Sequence, residues 1–183
     1  MSVRLFLLER WLPRPARRRV FSTLVSMTAR AFGTSPPDLG RLGMEDAVEA
    51  FARFTRLEAE RVRRDTPADA ERVRDRLFDG SRKLGYAVRR AAGIRTREES
   101  LRAPRLLYEA IGIDLEGSPV SNELTIRRCT FAAAYTPEVC GFISALDAGL
   151  VSGLTGGATL HFTRRITEGA PCCSARLSWG SPR

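Results

Sequence analysis

Cys129, Cys140, Cys172 and Cys173 are the only cysteines in the chain, and all four lie in its C-terminal third. A thiolate is a nucleophile and a metal ligand, whereas a protonated thiol packs as a small apolar group. Position decides between them. Thr136-Pro137-Glu138 has the form of a helix start, which puts Cys140 at the end of the first turn. The positive field there lowers a thiol's pKa and favours the nucleophilic form. The same residue reads equally well as helix packing. Cys173 shares a strand face with Ala175 and Leu177, while Cys172 points the other way with Ser174 and Arg176. The cysteine spacings match no compact ligand pair and C-x2-C is absent, so no metal and no cofactor is expected.

His161 is the only histidine and hence the sole candidate base for a Cys–His mechanism. It falls on the polar side of its strand with Thr159, Thr163 and Arg165, where a solvated role serves as well. Asp147 follows Cys140 by two helical turns, on a similar face. It is a candidate base or amine-orienting group, or a solvated helix acid. Arg128 and Arg165 can hold a substrate carboxylate through fork geometry, or face water. Phe131, Phe142 and Phe162 are candidates to line an apolar pocket, or ordinary core.

These residues need a scaffold, and 183 residues suffice for one domain with its own core. The net charge of +9 is almost entirely arginine, with Lys83 the only lysine. On the helices the arginines alternate with acids, as in Glu58, Glu60, Arg61, Arg63, Arg64 and Asp65. That pattern belongs to solvated faces with i,i+4 pairs, so no nucleic-acid partner is expected. Arg17-Arg18-Arg19 and Arg127-Arg128 escape the pairing, and an anionic small ligand suits them better. No apolar run approaches the length of a membrane span and no signal peptide is visible. The expectation is a reducing cytoplasm, with free thiols. Self-association into a homo-oligomer stays open.

Ser2 to Trp11 is a short apolar-basic segment. With the residues up to Val20 it could dock on a partner or an anionic membrane surface. Periodicity predicts helices from Pro15 to Phe32, stopped by Gly33, and from Met44 to Arg64. Thr66-Pro67-Ala68-Asp69 starts another that runs to Gly93, with Gly80-Ser81 as a place for a kink. Thr96 and Glu99 form a capping box opening a helical stretch that Pro104 interrupts and Gly112 ends. Glu123 to Phe131 reads as a strand. Thr136 then caps a helix with Val139, Ile143, Leu146, Leu150 and Leu154 on its apolar face. The segments 158–166 and 172–179 alternate around the turn 167–171 and form a hairpin. The expected fold is α+β: a helical part over 1–117, then a cysteine-bearing strand–helix–hairpin unit over 118–179. That unit forms a small, mostly antiparallel sheet with one internal helix, and one domain spans 1–183.

Arg128-Cys129-Thr130-Phe131, Glu138-Val139-Cys140, Ala145 to Leu150 and Thr167 to Cys173 occur in that order. The pattern resembles the L-2-amino-thiazoline-4-carboxylic acid hydrolase family over about residues 105–179. Its acid three residues after the helix cysteine is here Ile143. The resemblance implies hydrolysis of a C–N bond in a small carboxylate-bearing molecule. Cys140 would be nucleophile, Asp147 or His161 would move protons, and Arg128 or Arg165 would hold the carboxylate, with Cys173 beside the substrate. Val139 to Ser144 and Gly149 to Leu154 also resemble the 4-vinyl-reductase-like domains. There the implication is a non-catalytic small-ligand-binding module. An enzyme site should be polar and open, and a binding pocket deep and apolar.

Overall fold

Threonine caps set three of the helix starts in the computed structural model, which describes residues 14–118 and 120–180. Helix α1 spans Arg14–Phe32, α2 Met44–Arg64, α3 Pro67–Ala92, α4 Arg97–Glu109 and α5 Pro137–Thr155. Thr66, Thr96 and Thr136 each accept a hydrogen bond from the backbone N–H three residues on, at 3.2, 3.2 and 3.3 Å. This satisfies one of the donors a helix start leaves free. At Thr96 the box closes, with Glu99 accepting from the Thr96 N–H at 3.0 Å. Gly93 and Gly156 end α3 and α5 at φ of 65° and 81°, a region that penalises a Cβ. The segment at 2–11 lies outside the described residues.

Helix α3 runs through Gly80 and Ser81 as one element. One helix differs from the expectation. Helix α4 continues through Pro104, which is buried on its inner face. The ring's fixed φ suits a helix, and the price is the single backbone bond it cannot donate.

The sheet has four strands, β1 Ile113–Ser118, β2 Glu123–Cys129, β3 Thr159–Arg164 and β4 Cys173–Ser178. Their order is β1-β2-β4-β3, with every pairing antiparallel. The fold is therefore α+β, with α5 as the internal helix. The sheet begins five residues earlier than the boundary at 118, because Ile113–Ser118 is a strand and not the tail of the helical part. Its inner face carries Ile113, Leu115, Leu124, Ile126, Cys173, Ala175 and Leu177, all buried. They meet Phe21, Phe51 and Leu101 from the helices in one core.

Helix α5 is the keel of the molecule. Among the described residues it alone is long and apolar enough to cross a membrane, and more than half of it is buried inside the fold. It packs most extensively on α3, where Gly149 lies against Phe78 and Ser81, and Gly153 against Gly85. A methyl group at Gly149 would overlap the Phe78 carbonyl, and one at Gly153 the Arg82 carbonyl. The two backbones touch because no side chain stands between them.

Two bulges break the strict alternation of the strands. The β1–β2 register shifts between Asp114 and Leu115. Ile126 faces inward, Arg127 and Arg128 are both exposed, and Cys129 turns back in. The β3–β4 register shifts between Phe162 and Arg164, leaving Thr163 and Arg164 outside and Arg165 half-buried. One extra residue in a strand changes the face of everything beyond it.

Candidate functional site

Where the sheet's inner face meets the helices, packing leaves a cavity of about 110 Å³. Its walls come from Val20, Phe21 and Leu24 of α1, Phe51 of α2, Ser81 and Leu84 of α3, and Leu107 and Tyr108 of α4. Phe131 and Tyr135 lie on the connection into α5, which contributes Cys140, Ile143, Leu146, Asp147 and Leu150. Ile113 of β1, Cys129 of β2 and Cys173 of β4 border it from the sheet. Most of this wall is hydrocarbon. The exceptions are three thiols, two tyrosines, two hydroxyls (Ser81, Thr167) and one carboxyl.

Asp147 is the carboxyl. It lines the cavity from α5, one turn beyond Ile143 on the same helix face. Tyr108, itself buried, donates its hydroxyl proton to Asp147 Oδ1 at 2.5 Å. Burial raises the Asp147 pKa to about 6, although the Tyr108 hydrogen bond and the Arg165 charge pull it down. The Tyr108 phenol is pushed well up, by burial first and by the Asp147 charge second. Tyr135 shares a hydrogen bond of 2.5 Å with Thr55 of α2, and burial raises its phenol too.

Burial dominates the thiols as well. Cys129 is pushed up to about 12. Cys140 and Cys173 are both raised, each by burial first. For Cys140 this reverses the direction expected from its place in the first turn of α5. Enclosure by apolar walls outweighs the helix-end field, so the thiol stays protonated near neutrality. The Cys173 sulfur accepts a hydrogen bond from the Ile166 N–H at 3.3 Å. All four cysteines are free, and among the described residues no group of three His, Cys, Asp or Glu side chains is placed to hold a metal ion.

The structure thus brings Cys140, Asp147 and Cys173 to one cavity and leaves His161 and Arg128 away from it. His161 is exposed on the outer sheet face, opposite Arg176 in the β3–β4 register. Arg128 is exposed because the β2 bulge carries it outward. Arg165 is not on the His161 side, since the β3 bulge turns it toward α5. There its guanidinium lies 4.6 Å from the Phe162 ring centroid, 3.4 Å from Ser144 Oγ and 3.6 Å from Glu168. Its Nε is buried without a partner. Of the three phenylalanines expected at a pocket, Phe131 borders this one. Phe142 instead stacks on Phe32 at 6.4 Å, and Phe162 lies under Arg165.

Tyr108 and Tyr135 are polar cavity residues that the sequence reading did not name. Neither falls in a motif, and only the fold brings them beside Asp147 and Thr55. No protein-family model matches this chain, and no curated protein matches it.

Proposed function

We propose that the protein is a binding module for a small, largely apolar molecule held in the cavity between the sheet and helices α1, α4 and α5. The observation that carries this reading is the cavity itself, apolar over nearly its whole wall yet built around one buried carboxyl. Pockets for small molecules have this composition, with hydrocarbon for affinity and a few placed polar groups for orientation. The volume is somewhat below the ~150 Å³ of an apolar cavity that takes benzene, which suits one ring or a short branched chain. The second family resemblance, to 4-vinyl-reductase-like domains, supports the same conclusion.

Toluene, phenol and benzyl alcohol test it by calorimetry and by thermal unfolding. At least one is expected to saturate and to raise the melting temperature. Replacing Leu146 by Phe, which places extra volume in the cavity, is expected to abolish the binding while the protein stays folded. If no probe of this size saturates, or the filled variant binds as well as the parent, the proposal fails.

A hydrolytic reading, on a C–N bond as the first resemblance implies, draws on a different observation. Cys140 and Asp147 border the same cavity, and a carboxyl with a pKa of about 6 exchanges protons readily near neutrality. It requires the thiol to be deprotonated on attack, against the direction in which burial drives it. Turnover of 2-aminothiazoline-4-carboxylate, lost in a folded Cys140→Ser variant, would favour it. An unchanged rate in that variant removes the thiol from the chemistry.

A further inference from the structure

A buried carboxylate is stable only if something balances its charge. Asp147 has Tyr108 on one oxygen, no hydrogen-bond partner on the other, and no ion pair with any described arginine, lysine or histidine. The free oxygen is not sealed away: Asp147 is half-buried and lines the cavity. Phe21, Phe51, Phe131, Tyr108 and Tyr135 line the same cavity. Aromatic faces are negative and attract cations.

From this geometry we infer that the cavity's ligand carries a protonated amine, which pairs with the free Asp147 oxygen while its apolar body fills the ring-lined space. The inference rests on the binding reading above and names its ligand class. An alcohol or phenol could supply the missing hydrogen bond but would leave the carboxylate's charge buried. An anion would add to that charge. An ammonium group satisfies both the oxygen and the charge. The titratable groups facing Asp147 are Tyr108 on α4, Cys129 on β2, Tyr135 before α5, Cys140 on α5, Cys173 on β4 and Arg165 after β3. Five of them are neutral near pH 7, with burial holding the phenols and thiols protonated. The sixth, Arg165, reaches Phe162, Ser144 and Glu168; its charge draws the Asp147 pKa down, but it forms no ion pair with the carboxylate, which leaves the open oxygen to the ligand.

Benzylamine, benzyl alcohol and toluene have nearly the same shape and differ at the polar end, so they isolate the charge. With the full chain at about pH 8, benzylamine is expected to bind about tenfold tighter than benzyl alcohol or more, the scale of a charge-assisted contact in an apolar site. The advantage should shrink to about threefold or less at about pH 5, where Asp147 takes up its proton and the amine stays cationic. Asp147→Asn should erase it at pH 8 without abolishing toluene binding. If that variant does not fold, the pH series on the parent protein decides alone. Benzyl alcohol or toluene binding as tightly as benzylamine at pH 8 overturns the amine and leaves the binding module standing. Failure of all three probes removes both.

Discussion

At the scale of single residues, Asp147 works against the stability of the empty protein. Its pKa rises from 3.8 to about 6 on folding, so between about pH 4 and 6 the folded state holds more protons than the unfolded one. Stability then falls as pH rises through that window, by roughly 3 kcal/mol for a shift of this size. Above it, Asp147→Asn keeps an acceptor for the Tyr108 hydroxyl and removes the buried charge. The ligand-free variant is expected to melt higher than the parent at pH 7.5, with the difference vanishing near pH 4. The thiols follow the same rule. Alkylation by iodoacetamide at pH 7.5, followed by peptide mass analysis, is expected to leave Cys129 unmodified in the folded protein, because burial holds its thiol near 12. Labelling of Cys129 at the rate of a free thiol would contradict its enclosure. Cys140 could be located from the sequence, and Thr136 does cap its helix as the residue types indicate. Its chemistry could not, since the burial that keeps the proton on comes from the fold around the helix and not from its own sequence.

Within the elements, the α3–α5 contact sets a sharp test. Gly149 and Gly141 lie on the same helix, but a methyl group at Gly149 would meet the Phe78 backbone and Ser81 Oγ, whereas one at Gly141 meets nothing within 4 Å. Gly149→Ala is expected to lose about 3 kcal/mol in urea unfolding, since a backbone carbonyl cannot step aside. Gly141→Ala is expected to gain up to about 1 kcal/mol from helix propensity. Equal effects would mean that the backbones do not touch. The helices were readable because caps and stops are local: Thr66, Thr96, Gly93 and Gly156 announce themselves within four residues. The strand Ile113–Ser118 was not, because six residues with Gly117 at their end form a weak pattern. Its pairing partner β2 is what makes it a strand. The bulges were equally silent, since period-2 reading assumes every residue opposes one partner. That assumption put Arg165 on the wrong face.

For the whole molecule, the cavity joins parts that the sequence presents as separate. Every helix and three of the four strands line it, so a ligand there should tighten the domain as a unit. At about 24 cal/mol per Å³, an empty space of this size costs on the order of 2–3 kcal/mol. Saturation with a probe that fits is therefore expected to raise the single unfolding transition and to slow amide exchange in α1 and α4 as well as in β2 and β4. Protection confined to one element would show that the ligand sits elsewhere. The pairing of arginines with acids along the helices is seen at this scale too. Glu49–Arg53, Arg56–Glu60, Glu58–Arg61 and Arg105–Glu109 form pairs along exposed helix faces, each worth little singly. The bulge in β3 has one more effect. That strand is an outer edge of the sheet, and a neighbour seeking to add a fifth strand there meets Thr163 and the cation of Arg164 out of step with its own amide ladder. Such an edge is a poor template for end-on growth between copies, so crowding or heating should drive this protein to clump through its unfolded chains before it zips sheet to sheet.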